Sequence, residues 1–352
     1  MSHGIFFTQG VRTPSARFRV EQHLPYFERS GVRCTLRPAN PSNQGELASY
    51  SPPMGLRREL LRLAATPARA MQLRGLSRFD FAFIQKPLIF FPYTGFEAWV
   101  ARRLPTVFDM DDAIHLKHRG LGARQVRRIV DVVDHVIVGN DHLAEIVDEP
   151  RKTTVIPTVV DHLRFALRPV PDGPFTVVWT GLSDNMREIE PYADVLRRVL
   201  GEVGGRLVLI SERFDAPWLR GLPVETIPWS PEAEVAGLSL GHVGLMPLAD
   251  TPFNRGKCGF KLIQYMARGI PAIASPVGTN PQIIEHGVNG MLAATPSEME
   301  EALMAMARDP GFAASLAAEA RRTVVERYSV QAVLPRYLAI FEGLVGKSLA
   351  RR

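Results

Sequence analysis

Short runs of β-branched and aromatic residues alternate with amphipathic stretches along almost the whole chain, and they do so in two series separated by a proline-rich joint. A strand that is followed by a helix and then by another strand of the same sheet runs parallel to its predecessor, so such a chain is held to helix-covered parallel sheets. In the first series the spacing predicts strands at Gly4–Gln9, Val32–Arg37, Asp80–Gln85, Thr106–Met110, His135–Val138 and Thr154–Ile156, with helices at Arg17–Arg29, Thr94–Arg103 and Ala123–Val133. The second series follows RPVPDGP at 168–174, with strands at Thr176–Thr180, Arg206–Ser211, Val224–Ile227, Val243–Pro247, Pro271–Ala274 and Met291–Ala293. Helices at Ser297–Arg308, Gly311–Arg327 and near Val333–Val345 complete the chain. The expectation is an α/β protein of two Rossmann-like domains facing a central cleft, divided at 168/169.

With 352 residues, 46% apolar and 22% charged, the chain can bury two cores. No run of 18 uncharged apolar residues is present, and MSHGIFFTQG enters a strand without signal-peptide character, so a cytoplasmic location is expected. Cys34 and Cys258 are too few for a disulfide framework or a zinc cluster. The net charge of +6 permits anionic partners, but zinc-finger spacing, aromatic RNA motifs and dense Lys/Arg blocks are missing, which argues against nucleic acid. Neither first strand–helix turn reads G-x-G-x-x-G, which disfavours a dinucleotide oxidoreductase. Part of the positive excess lies in 56–78, where Arg57, Arg58, Arg62, Arg69, Arg74 and Arg78 interleave with leucines and Met71. That segment suits either an anionic membrane surface or a solvated helix face with arginine stems over apolar ground.

Chemistry concentrates between Asn254 and Pro276, NRGKCGFKLIQYMARGIPAIASP. Arg255, Lys257 and Lys261 crowd around Gly256 and Gly259 ahead of an amphipathic helix, with Phe260 at its start. Glycines admit close backbone approach, a helix N-terminus favours anions, and the cations add formal charge, so the segment can be an anion cradle for a diphosphate. The same composition also makes an ordinary solvated turn. Lys257, Lys261 and Gln264 or Tyr265 are spaced to share one helical face.

KCGFKLIQYMARGIPAIASPVGTNPQIIEHGVNGMLA resembles the donor site of family 4 glycosyltransferases of the GT-B fold, in which an "EAMAxGxPVIAS" helix precedes a "G-x-x-E-I-I-x-x-G-x-x-G-L-L" segment. The corresponding pieces are Gln264 to Ser275 and Gly278 to Leu292. The resemblance implies two glutamates separated by seven residues; Gly256 and Gln264 stand at those positions. Gln264 can still hydrogen-bond a ribose diol. It further implies that the tail, 330–352, packs back toward the first domain.

Ligands of doubly wound sheets bind beyond the carboxyl ends of strands. Gly10 follows the first strand, where relatives place a glycine-rich loop near the donor phosphates; Arg12, Arg17 and Arg19 make this region basic and suited to a phosphorylated or lipid-diphosphate acceptor. Thr13-Pro14 also suits a helix cap. The fourth strand ends in Asp109, Asp111 and Asp112. Asp111 stands where relatives carry a sugar-contacting histidine, Asp112 is a neighbouring acceptor candidate, and Asp109 reads as structural. Three carboxylates could alternatively hold a divalent cation, and His115 lies one turn beyond. After the seventh strand come Gly181, Leu182, Ser183 and Arg187, with Leu182 in place of a phosphate-binding arginine and Arg187 in place of a lysine. Trp229 lies in the loop where relatives seat the base, as a stacking platform or as packing.

Together these features imply a retaining glycosyltransferase that moves sugar from a UDP or GDP type nucleotide-diphosphate sugar to a glycan, lipid-linked or small-molecule acceptor. Polysaccharide or glycoconjugate synthesis is the implied setting. Asp111, Arg255 and Lys261 are the catalytic candidates; Gly10, Gly181, Ser183, Arg187, Trp229, Lys257, Gly259, Phe260 and Gln264 the donor-binding ones; Arg12, Arg17 and Asp112 the acceptor-binding ones. No metal or other cofactor is expected, and peripheral attachment to the inner membrane face would run through 56–78. A non-catalytic GT-B nucleotide- or glycan-binding protein, a nucleotide-sugar epimerase and a phosphorylase are the competing functions; no pyridoxal phosphate motif favours the last.

Overall fold

A computed structural model describes residues 1–11, 13–39, 66–89, 94–116 and 121–351, with side chains up to 346. Arg12 and positions 56–65 of the basic 56–78 segment, including Arg57, Arg58 and Arg62, lie outside the described residues. The chain divides into two compact units: Met1–Val159 with Gly256–Cys258 and Val333–Arg352, and Val160–Arg255 with Gly259–Ala332.

Among the described residues, unit 1 has a six-stranded parallel sheet ordered β2-β1-β3-β4-β5-β6, from β1 (Ser2–Thr8), β2 (Val32–Pro38), β3 (Phe81–Gln85), β4 (Thr106–Met110), β5 (His135–Val138) and β6 (Thr153–Val155). β1, β3 and β4 have almost wholly buried residues, as expected of parallel strands covered on both faces. On one face Ile5, Phe7, Ala82, Ile84 and Phe108 join a core with Val126, Ile129 and Val130 of the helix Leu121–Val132. On the other, Phe6, Phe27, Phe81 and Phe83 form an aromatic cluster with Tyr337 and Phe341 of the last helix, Val330–Arg351. Gly4 makes room there, since a Cβ would lie 2.5 Å from the Phe81 ring.

The helix expected over Arg17–Arg29 is broken into α1 (Pro14–Arg19), a 3-10 turn at Glu21–His23 and α2 (Leu24–Arg29). Pro25 lacks an N–H and its ring crowds the preceding turn, so it is accommodated at the start of a new helix. Thr13 accepts a hydrogen bond from Ala16 N at 3.1 Å and Pro14 opens the helix, the capping role open to that pair.

Unit 2 repeats the design with β7 (Thr176–Thr180), β8 (Arg206–Ser211), β9 (Val224–Pro228), β10 (Val243–Met246), β11 (Ala272–Ala274) and β12 (Met291–Leu292), in parallel order β12-β11-β10-β7-β8-β9. Its core joins Val177, Leu207, Leu209, Val243, Leu245 and Ile273 to Leu196, Val199, Leu303 and Leu316 from covering helices. Strand order reverses between β1 and β3 in one sheet and between β7 and β10 in the other. Ligand crevices of open α/β sheets form outside the carboxyl ends of strands at such switch points.

Candidate functional site

In unit 2 the two segments singled out separately in the sequence meet. The helix Phe260–Ala267 begins at Gly259, whose φ of 62° is a left-handed conformation natural to glycine and whose absent Cβ would lie 2.2 Å from Ile283 Cδ1. No side chain caps this N-terminus. Lys261, half-buried in the first turn, places its ammonium 5.3 Å from the Trp179 ring centroid, and a Cβ on Gly181 would lie 2.7 Å from Lys261 Cε. The loop after β7 and the start of the helix Phe260–Ala267 therefore pack closely, and glycine at 181 admits the Lys261 stem and the Trp179 ring. Gln264 is 2% exposed, and its Nε2 has no hydrogen-bond partner among the described residues. A buried amide donor with no acceptor is costly unless a ligand supplies one. Tyr265, by contrast, is structural: its hydroxyl donates to Leu245 O at 3.2 Å and accepts from Thr180 N at 3.3 Å.

Lys257 does not share the helical face with Lys261, because the left-handed residue Gly259 starts the helix only at Phe260. It belongs instead to the tripeptide Gly256–Cys258, which packs within unit 1. There Asn140 Nδ2 donates to Gly256 O and Lys257 O at 3.2 Å each, and Cys258 Sγ donates to Asp111 O at 3.0 Å. A Cβ at Gly256 would lie 2.7 Å from Ala113 Cβ, so this position excludes a glutamate side chain for steric reasons.

Other donor-side candidates have partners already. Ser183 donates its N–H to both Glu212 oxygens, at 3.1 and 3.0 Å, and its hydroxyl to Glu212 Oε1 at 2.5 Å. Burial alone would raise the Glu212 carboxyl, but these hydrogen bonds outweigh it and hold the group below its ordinary range. Arg255 is exposed and makes a bidentate pair with Asp250, at 2.6 and 2.8 Å. Such a solvent-screened pair can be exchanged for a ligand phosphate at little cost. Arg187 is also exposed, with its Nε 4.0 Å from Glu188 Oε1. Glu188, not singled out in the sequence, is buried at the switch point: it accepts from Ala249 N at 2.8 Å and Asn254 Nδ2 at 3.1 Å, joining the loop after β7 to the loop after β10. Trp229 is half-buried, with its backbone N–H donating to Ser211 O at 2.9 Å.

In unit 1 the carboxyl ends of β1, β3 and β4 carry a buried ionic network. Asp109, expected to be structural, makes a two-bond pair with Arg19, which also donates to Ile156 O at 2.8 Å. Burial opposes the charge on Arg19, but Asp109 overcomes that and raises its pKa further. Arg17 is buried with its guanidinium 4.7 Å from the Phe18 ring centroid. Lys86, directly after β3, places Nζ 2.9 Å from Asp111 Oδ1, 2.7 Å from Asp112 Oδ2 and 2.6 Å from Ser15 Oγ. Burial raises the Asp111 carboxyl on its own, yet Lys86 and Arg19 outweigh it and hold the group below its usual range. Gly10 is buried and accepts from the Thr8 hydroxyl at 3.4 Å. His115 is half-buried, with burial and His142 lowering its pKa. Among the described residues no group of three or more His, Cys, Asp or Glu is arranged to hold a metal ion, and no helix is long and apolar enough to cross a membrane.

Residues 176–309 match the family described as glycosyl transferases group 1. No curated protein sequence matches the chain. Among solved structures, the chain is similar to Anabaena HepE in complex with UDP and glucose, at 15% identity over 98% of this chain and 100% of that one, with a TM-score of 0.73. It is similar to a sucrose-phosphate synthase from Thermosynechococcus elongatus, at 16% identity over 99% and 100% with a TM-score of 0.73. A Rickettsia africae glycosyltransferase gives 11% identity over 98% and 99%, with a TM-score of 0.71. At these identities the likeness establishes a shared fold. The family match covers both the loop after β7 and the helix Phe260–Ala267, and the chain shares the α/β fold of the solved glycosyltransferases it resembles.

Proposed function

We propose that the chain is a retaining glycosyltransferase that takes a sugar from a UDP or GDP type nucleotide-diphosphate sugar, held mainly by unit 2, and delivers it to a hydroxyl-bearing acceptor, a glycan, lipid-linked or small-molecule one. The observation that carries this reading is the convergence of Gly181 and Lys261 within the stretch matched to group 1 glycosyl transferases. A closely packed glycine, a lysine and a helix N-terminus without a side-chain cap are the elements of a cradle for a diphosphate leaving group. Lys261 and Arg255 neutralise the charge that develops as the sugar departs, which needs no metal. Gln264, with its unpartnered amide donor, binds the ribose hydroxyls, and Trp229 and Phe260 border the nucleotide. HepE bound to UDP supports a uridine nucleotide. Arg69 is buried and donates to Thr8 O and Arg37 O at 2.8 Å each, so it has no part in membrane contact; the exposed Arg74 and Arg78 support a cytoplasmic protein that touches anionic membrane while building cell-surface polysaccharide or glycoconjugate.

A second reading, a nucleotide-binding protein without turnover, draws support from Gly256 and Gln264 in place of carboxylates and from a Ser183 already satisfied by Glu212. Calorimetric titration with UDP and GDP tests the site: Lys261→Ala is expected to weaken binding at least ~10-fold, the loss of one charge-assisted contact. Unaltered affinity in both Lys261→Ala and Arg255→Ala sinks the assignment. Nucleoside diphosphate release that depends on added acceptor separates transfer from binding, and an altered sugar nucleotide without acceptor would instead mark an epimerase.

A further inference from the structure

The stretch 161–172, DHLRFALRPVPD, runs as a strap at the amino ends of β7 and β10 in unit 2. Its inward groups are held. Phe165 is buried, Arg168 donates to Gly241 O, and Pro171 O lies 3.1 Å from Nε2 of His242, whose Nδ1 accepts from Thr176 N at the start of β7. Arg321 of the helix Pro310–Arg327 clamps the strap, donating to His162 O at 3.1 Å and Phe165 O at 2.8 Å, and also to Ala267 O at the end of the helix Phe260–Ala267. The outward groups are apolar. Leu163 is 67% exposed, Leu167 63% and Val170 63%, and among the large apolar side chains described only Met1 is more exposed. One exposed leucine is ordinary, but three such side chains within one short strap call for a partner.

The charges around them are unbalanced. Arg164 is exposed, and the side chains of Arg168, Arg268 and Arg321 bond only backbone carbonyls and the Ser239 hydroxyl; among the described residues none of the four pairs with a carboxylate. Burial and then the charge of Arg268 lower Arg168 to about 10, and burial and then Arg321 lower Arg268, as expected of crowded cations without an acid between them. Of the strap's own two acids, Asp161 accepts from Leu163 N at 3.1 Å and Asp172 is exposed.

We propose that this strap is a membrane-contact surface: Leu163, Leu167 and Val170 enter the headgroup region of an anionic phospholipid bilayer, and Arg164, Arg168, Arg268 and Arg321 are drawn to its phosphates. The surface belongs to unit 2 and is separate from Arg74 and Arg78 of unit 1; the inference goes beyond the glycosyltransferase reading and holds whether or not sugar is transferred. Burial of aliphatic side chains and attraction of cations to anionic lipid reinforce each other at a bilayer surface. A second copy of this chain is a poor occupant, because it would set like charges against one another. A folded protein partner is poorly served by three aliphatic side chains without an aromatic anchor. The helix Phe260–Ala267, about 12 Å long at ~1.5 Å per residue, separates this end of unit 2 from Lys261 in its first turn, so bilayer contact here leaves the nucleotide side open.

The test is cosedimentation of the full chain with vesicles of phosphatidylglycerol and phosphatidylcholine in equal parts, and with vesicles of phosphatidylcholine alone. Binding is expected to the anionic vesicles only and to weaken as salt is added. The triple variant Leu163→Ser, Leu167→Ser, Val170→Ser is expected to bind at least ~10-fold more weakly, and Arg164→Glu about 5-fold or more. Should the triple variant not fold, Leu163→Trp reads the same surface by a gain: brominated lipid in the anionic vesicles quenches its fluorescence beyond the quenching of the wild type. Equal binding to both vesicle types, no binding to the anionic ones, or undiminished affinity in the triple variant would each overturn the proposal. Affinity lost in Arg74→Glu, Arg78→Glu but kept in the triple variant would place the contact on unit 1, and vesicle-free dimers that the triple variant abolishes, without vesicle binding by the wild type, would make the occupant a second copy; both results also overturn it. UDP and GDP titrations of the same samples separate the failures, since a wild type that binds neither nucleotide fails the glycosyltransferase reading and leaves the vesicle result standing.

Discussion

Gly139, directly after β5, approaches the thiol of Cys258 so closely that an added Cβ would sit 2.2 Å from Sγ. Carbon–sulfur contact needs roughly 3.5–4.0 Å, so Gly139→Ala forces a displacement of more than an ångström in a well-packed interior. The backbone at 139 is outside the left-handed region, which leaves the clash as the sole reason for glycine. Overpacking of this kind costs ~1–3 kcal/mol. Cys258→Ala alone loses one buried heavy atom and the thiol bond to Asp111 O, together ~1–2 kcal/mol. In the double variant Sγ is gone, and the next atoms around the new methyl are Asp111 Cα at 3.4 Å and Cys258 Cβ at 3.6 Å, which is ordinary contact. The two losses should therefore not add: the double variant is expected to be more stable than the sum by ~1–3 kcal/mol. Native-state hydrogen exchange of β4 and β5 amides measures this within unit 1 without requiring whole-chain two-state unfolding. Strict additivity would refute the steric account and with it the reason for the small residues that seat Gly256–Cys258.

Glu97 is 1% exposed and accepts from Leu88 N at 2.7 Å, and burial pushes its carboxyl from 4.5 up to about 7. A carboxyl raised on folding binds protons more readily in the native state, so its stability contribution is full below about pH 4.5 and is lost as pH rises through about 7. Unit 1 of the wild type is expected to lose stability across that window, and Glu97→Gln to flatten the profile, as followed by urea midpoints at successive pH values. Tyr265→Phe removes a donor to Leu245 O and leaves Thr180 N without an acceptor; it should cost unit 2 ~1–3 kcal/mol. A loss below ~0.5 kcal/mol in denaturant titration would mean that the hydroxyl is not holding β7 to β10.

Much of the architecture was legible because strand and helix periodicities are local. The strands Thr106–Met110, His135–Val138, Thr176–Thr180 and Arg206–Ser211 have the limits read from the sequence. The break between α1 and α2 was harder, because the apolar spacing runs on through a proline that only the backbone registers. Gly181, Gly259 and Lys261 were visible as a pattern, and the close approach of Gly181 to Lys261 was not. Lys86 gave only the weak signal of a charge at the end of a wholly buried strand, and Glu188 and Glu212 were ordinary acids near candidate loops.

The sequence by itself determined two parallel sheets, the glycines at the strand ends and a cationic helix start, since each depends on residues a few positions apart. Tertiary structure alone decided which charges have partners. Lys86 meets Ser15 across 71 positions, and Arg19 meets Asp109 across 90. Ion pairing and desolvation depend on distance in space, which a linear pattern does not carry. The basic character read after the first strand is thus partly spent on internal carboxylates, and Lys261 packs against Gly181 and the Trp179 ring.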